Sequence, residues 1–321
     1  VIRDETKLRE ILRQTALADS PVARLNIRDP DEIAFAIDIP LAEPMQSWQL
    51  MRELVPQTGR WPVLITLWGG GNSWHEKARL IRDEFSNRFA FTQELLKDSR
   101  SGHNPADIIA ASETVDVGAQ LRQIEERMQS AHYEHFDLEE DLERLLEGTR
   151  DRFGFAPDVG DPVNFLTTEK IYSKASLERW LFEWERKNCA DALRVQDDEL
   201  SYLEWFEQHS PSLVLLLMPS ARHWEIPAYL NWFASNIASS QLIVALLREW
   251  HQKYGAELVS HHGTMLELIT SRLPDTPEDA FHLAWQQETI AQCTTIPAGV
   301  SLRDHARAML CTNCWFLHAR R

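Results

Sequence analysis

Four groups of residues have types and spacings that could do chemistry. The first is His261 and His262 with Glu267. Two imidazoles and a nearby carboxylate across a turn could supply a general base and the group that orients it. Glu267 lies between Leu266 and Leu268, however, and the same alternation describes the polar face of a strand. The second group is Cys293, Cys311, Cys314 and His318, four soft ligands of the kind that hold tetrahedral zinc. Against a metal, Cys314 to Leu317 reads as a strand, which points alternate side chains apart. The Cys311–Cys314 pair also does not open a helix after a strand, as a redox dithiol would. The third is Gly69, Gly70, Gly71 and Asn72, between an apolar run and a helical stretch. Such a loop can bind phosphate on its N–H groups, yet the spacing fits neither dinucleotide nor P-loop signatures. Asn72 or Ser73 serves equally well as a helix N-cap. The fourth is the aromatic segment with Trp224, Tyr229, Trp232, Phe233 and Asn236, which either walls a pocket or seals the end of a core. Sealing a core is the reading adopted. There is no nucleophile elbow and no His-Glu-x-x-His. No catalytic residue, metal or cofactor is assigned.

Those residues must be positioned by the stretch Leu213 to Pro274. It opens with Leu213 to Met218, an unbroken apolar run of the sort found in strands buried on both faces. Val63 to Trp68 has the same character. Ala256 to Ser260 and Met265 to Thr270 flank His261-His262-Gly263-Thr264 as two strands around a tight bend. Between them, Ser239 to Tyr254 reads as a helix with Leu242, Ile243, Ala245, Leu246 and Trp250 inward, stopped by Gly255 in the left-handed conformation. Val22 to Ile27 and Ile33 to Ile39 alternate like strands around Asp29-Pro30-Asp31. Ser176 to Asn188 and Asp197 to Gln208 read as helices, the first with a core stripe of Leu177, Trp180, Leu181 and Trp184.

The clearest periodicity lies elsewhere. Leu121, Ile124, Met128, Ala131, His135, Leu138, Leu142 and Leu145 alternate spacings of 3 and 4, a heptad seam. One helix from Val117 to Thr149 would be roughly 50 Å long at 1.5 Å per residue. A hairpin packed on the body and a dimer in trans both fit it. The expected fold is α+β (mixed α/β): a central mixed sheet covered by helices, with a long acidic helical insertion. The expected organisation is an N-terminal lobe 1–117, the heptad insertion 118–150, a helical connector 151–211 and a C-terminal α/β domain 212–321.

Composition narrows the function. The chain has 321 residues and a net charge of −16. A phosphate-backbone binder would be basic, so nucleic acid is not an expected partner. A basic protein is. The longest apolar runs are far shorter than a membrane span. Four cysteines are too few for a disulfide scaffold in a chain this long, which points to a reducing, cytoplasmic setting. The first residues are charged from Arg3 on and hold no apolar signal core, while the absence of Met at position 1 leaves room for a removed leader.

Several phrases match one uncharacterised bacterial family. They are Thr58-Gly59-Arg60-Trp61-Pro62-Val63-Leu64, Trp224-Glu225-Ile226-Pro227-Ala228-Tyr229-Leu230, Leu247-Arg248-Glu249-Trp250, Tyr254-Gly255-Ala256-Glu257-Leu258-Val259, Leu266-Glu267-Leu268 and Thr276-Pro277-Glu278-Asp279-Ala280. By these the chain resembles domain-of-unknown-function family 4253, well from about 212 to 298, loosely around 42–117 and not in the heptad region. The resemblance implies fold kinship and no established activity. Family members carry Gly-Gly-Trp-Asn where this chain has Phe233-Ala234-Ser235-Asn236, and an Asp where it has Thr264. A site resting on either position in relatives would be altered here. Two functional readings follow. One is a non-enzymatic protein-binding module, for example an immunity-type factor that neutralises a basic toxin. The other is an enzyme or small-ligand binder with its site near His261, His262, Asn236 and Trp224.

Overall fold

The run Leu213–Met218 has no polar face to offer water, and every one of its side chains is buried. It can be stable only at the centre of a sheet with both faces covered. In the computed structural model, which describes residues 1–26, 32–40, 42–66, 104–131, 137–204, 213–230, 232 and 238–319, this run is the third strand of a seven-stranded sheet. The strands are β1 (Val22–Asn26), β2 (Ile33–Ile37), β3 (Trp61–Thr66), β4 (Leu213–Met218), β5 (Glu257–His261), β6 (Met265–Ile269) and β7 (Cys314–His318), in the order β1-β2-β4-β3-β5-β6-β7. All pairings are antiparallel except β3 with β5. The α+β expectation holds, and the sheet contains the strands anticipated around Val63, Leu213 and the 256–270 pair.

The described helices are α1 (Glu5–Leu12), α2 (Pro44–Glu53), α3 (Val55–Thr58), α4 (Pro105–Ser112), α5 (Val117–Ala131), α6 (Leu138–Phe153), α7 (Pro162–Thr168), α8 (Lys174–Asn188), α9 (Ile226–Tyr229), α10 (Ser240–Tyr254), α11 (Pro277–Ile290) and α12 (Leu302–Met309). The chain forms two compact units. One comprises Val1–Val117, Leu203–Arg272 and Cys314–Arg321; the other comprises Gly118–Tyr202 and Leu273–Asn313.

The first unit holds the sheet. Strand β3 runs beside β4 along its whole length but meets β5 only at Leu64 and Ser260. Side chains satisfy the backbone where those two strands diverge. The Trp48 indole N–H donates to Pro62 O at 3.0 Å, and the Trp61 indole N–H to Leu258 O at 2.8 Å. Pro62 is tolerated in an interior strand because no ladder bond is asked of it on that side. The Arg60 guanidinium is buried and, among the described residues, paired with no carboxylate: Nη1 donates to Ile33 O (2.7 Å) and Leu217 O (3.2 Å), Nε to Ile2 O (2.6 Å), and the group lies over the Phe35 ring. Burial pulls its pKa down to about 10. Helix α10 is capped by Ser239, whose Oγ accepts from Leu242 N, and it ends at Gly255 with φ +63°. Its Trp250 and Tyr254 pack edge-on against Trp315 of β7.

The second unit is helical. Here the single long helix expected over Val117 to Thr149 is corrected: α5 ends at Ala131 and α6 begins at Leu138, with the Asp137 carboxylate accepting from Glu139 N and Glu140 N. A cap at Asp137 competes successfully with continuation because it satisfies N–H groups that a new helix exposes. The apolar seam is buried within the chain: Leu121, Ile124, Leu142 and Leu145 are all covered. Leu142 and Leu145 pack with Phe165, Leu166, Ile171, Leu177 and Leu181. A second correction concerns the start of the helix expected over 197–208, of which 205–208 lie outside the described residues. Asp197–Leu203 is a 3-10 stretch, not an α-helix, where the Glu199 carboxylate accepts from Gln196 N and binds Arg152.

Candidate functional site

The hairpin β5–β6 carries the first group of chemistry-bearing residues. Pairing slips between Leu258 and Ser260, a bulge that sets Ser260 opposite Glu267. The bend is closed by His262 N donating to Met265 O at 2.8 Å and Thr264 N to His262 O at 3.0 Å. Gly263 adopts φ +80°, which a side chain would strain. On this frame Ser260 Oγ–H donates to Glu267 Oε2 in a short contact, and His262 Nε2 lies 3.7 Å from the same oxygen. All three side chains are at most 3% exposed.

So Ser, His and Glu do meet, but with the carboxylate in the middle. A nucleophilic serine needs the imidazole on its hydroxyl and the carboxylate behind the imidazole. Here Glu267 takes the Ser260 hydroxyl itself, with His262 next to it rather than next to the serine. His261 belongs to a separate arrangement. Its Nδ1 accepts from Gly263 N at 3.2 Å, which puts the proton of the neutral ring on Nε2. Burial, then the neighbouring His262, pushes its pKa down to about 3.

Trp224 is half-buried beside two histidines, its ring centroid 4.7 Å from His251 and 5.1 Å from His223. Tyr229 and Trp232 are buried. Burial and the carboxylates of Glu32 and Glu225 push the Tyr229 hydroxyl up to about 12. Asn236 and Phe233 lie outside the described residues, as do Gly69, Gly70, Gly71, Asn72 and Ser73. The four soft ligands are distributed over two units. Cys293 and Cys311 fall in the helical unit, Cys314 and His318 on β7 of the sheet unit. Among the described residues no group of three or more His, Cys, Asp or Glu side chains is placed to hold a metal ion.

Two polar clusters had no motif to announce them. In the sheet unit, His223 Nε2 and His251 Nδ1 stand 3.0 Å apart, and His223 Nδ1 takes the Leu258 N–H at 3.3 Å. In the helical unit, Glu178 accepts from the backbone N–H groups of Leu302 and Arg303, capping α12 from a distance (3.3 Å each). Glu185 binds Arg303 at 2.9 Å and Arg307 in a shorter contact, and Thr149 Oγ donates to Glu185 Oε1 at 2.7 Å. His305 Nδ1 meets Tyr202 OH at 2.7 Å, and its Nε2 meets Gln287 Oε1 at 3.0 Å. Each of these Glu and Arg side chains and His305 is at most 4% exposed. Burial holds the His305 pKa near 3 and drives the Tyr202 hydroxyl upward. Arg303 and Arg307 sit at i and i+4 of a short helix, a pattern that in sequence looks like any solvated face.

By fold and site, then, this is an α+β protein with buried polar clusters. Residues 214–318 match the model of a family described as Domain of unknown function (DUF4253). The match runs from β4 to β7, and the matched stretch supplies four of the seven strands. No curated protein and no solved structure matches the chain.

Proposed function

We propose that the chain is a non-enzymatic binding module that engages a basic protein, in the manner of an immunity factor meeting a cationic toxin. One observation carries this reading. Glu139, Glu143, Glu147 and Asp151 stand on the exposed side of α6 at i+4 intervals. Like charges at that spacing destabilise a helix by about 0.2–0.5 kcal/mol per pair. The arginines of α6 do not relieve them: Arg144 pairs with Asp141, and Arg152 with Glu199 and Asp304. Arg150 forms an ion pair with none of the four among the described residues. A stripe that costs the fold and is answered by no cation within the helix suits a cation supplied by a partner. The net charge of −16 would steer that partner in.

The test is a four-fold variant, E139Q/E143Q/E147Q/D151N, set against the parent in binding to a basic partner isolated from the native host. The parent's affinity should fall steeply between about 50 and about 500 mM salt, and the variant should bind at least tenfold more weakly at the low end. Equal affinity of the two chains, or binding indifferent to salt, would overturn the reading.

A further inference from the structure

The His223–His251 pair has a proton inventory that admits one neutral arrangement. His223 Nδ1 faces the Leu258 N–H at 3.3 Å and must present a lone pair. A neutral ring then carries its proton on Nε2. That N–H points at His251 Nδ1, 3.0 Å away, which must be the acceptor. Ala256 O also lies 3.1 Å from His251 Nδ1. One donor therefore serves this corner, and His251 is bound to be the Nε2–H tautomer. A proton added to His251 goes onto Nδ1. Two N–H groups then face each other across 3.0 Å with one carbonyl between them, and the contact cannot survive in that geometry.

We propose that the pair is an acid-released latch, which joins the segment 222–230 to α10 and β5 when both rings are neutral and lets it go when His251 takes a proton. The latch is placed for that role. His223 opens the short turn His223–Glu225 that leads into α9, and its ring also touches Trp61 (5.1 Å). His251 lies on α10 and Leu258 on β5, so one imidazole ties three elements together. His223 is 1% exposed whereas His251 is only half-buried, so the proton enters from the His251 side. The charged neighbours are engaged elsewhere. Arg52 of α2 binds Glu257 of β5 through both carboxylate oxygens, Arg222 binds Glu225, and Lys253 of α10 lies over the Tyr254 ring. Strand β3 presents Trp61, which carries no charge. Burial, then His251 and Arg52, holds His223 well below the ordinary histidine range, so the buried ring stays neutral.

Nitrogen-detected NMR of the full chain reads the tautomers directly. At pH 8 His223 should be protonated on Nε2 alone, and His251 Nδ1 should carry a lone pair; a proton on His223 Nδ1 would overturn the latch. Amide exchange then reads the release. As the solution is acidified from pH 8, protection of residues 222–230 and of the Leu258 amide should drop, by up to about tenfold per pH unit. The Val244 and Leu246 amides, in the middle of α10, should lag behind and so separate local release from unfolding. His251→Asn keeps an acceptor that does not titrate and should flatten the response. If that variant fails to fold, the parent chain still decides. Protection of 222–230 that stays level, or that falls only together with Val244 and Leu246, would refute the proposal.

Discussion

A buried charge can be read only through its partners, and Glu185 is the clearest case. Its two oxygens hold Thr149, Arg303 and Arg307, and all of these side chains are buried. Converting Glu185→Gln would leave two guanidinium groups with less than the charge they need. Breaking a buried pair from one side costs about 3–5 kcal/mol, so urea unfolding of the helical unit should show a lowered midpoint of that order with little change in slope. Ser260→Ala is the milder counterpart in the sheet unit. It removes the hydroxyl that donates to buried Glu267 and should cost about 1–3 kcal/mol, the penalty for a buried acceptor that loses a donor. A loss well below 1 kcal/mol on denaturant titration would mean that Glu267 is satisfied without Ser260.

At the scale of the element, chain direction hangs on stop signals. Gly255 ends α10 at φ +63°, and a Cβ placed there would collide with Ser271 Oγ. Gly255→Ala should therefore cost more than the roughly 1 kcal/mol of a left-handed alanine alone. Ser271→Ala in the same chain should restore part of the difference, because the hydroxyl is the atom in the way. A calorimetric melt that ranks the double variant no better than the single one would contradict this. Helix α6 supports a prediction of the opposite sign. Neutralising Glu139, Glu143, Glu147 and Asp151 removes three like-charge pairs, so the variant should melt slightly higher while binding less. A stripe whose removal lowered the melting temperature would be structural, and the binding proposal would lose its motive.

For the molecule as a whole, pH separates the two units. His223 and His261 of the sheet unit are held neutral by burial, His223 well below and His261 about 3 against an ordinary 6.5. The unfolded chain takes up those protons below 6.5 while the folded unit does not, so stability falls as pH drops below that value. The slope is at most about 1.4 kcal/mol per pH unit for each ring. Among the described residues the helical unit has one such ring, His305, but also Glu288, whose pKa burial raises to about 7 from 4.5. There the folded state holds a proton that the unfolded state has lost, so its contribution grows as pH falls from 7 toward 4.5. The two effects oppose each other. Between pH 6.5 and 4.5, the protection of amides in β5 and β6, relative to their intrinsic exchange at each pH, should fall more than in α8 and α12; an equal fall would mean that the buried histidines do not set acid stability.

Much of the framework was legible because it follows from short-range rules. The all-apolar run at Leu213–Met218 can only be a central strand, and Gly255 and Ser239 mark helix boundaries by their own backbone and side-chain preferences. No described helix is long and apolar enough to cross a membrane, as the run lengths had indicated. The sites were not legible in the same way. His261, His262 and Glu267 could be singled out by type, but only the bulge at Leu258–Ser260 decides that Ser260 joins them and that Glu267 stands in the middle. His223 and His251 are 28 residues apart and Glu178 and Arg303 are 125 apart, so no spacing could pair them. A heptad pattern likewise said which faces of 117–149 are apolar, and not that a new helix starts at Leu138 behind the Asp137 cap or that Leu142 and Leu145 pack against Phe165, Leu177 and Leu181. Sequence determined the secondary elements and their buried faces, since propensity, capping and apolar periodicity act over a few residues. Which polar groups share a proton or a charge was decided by the tertiary structure alone, because distance in space, not along the chain, sets those energies.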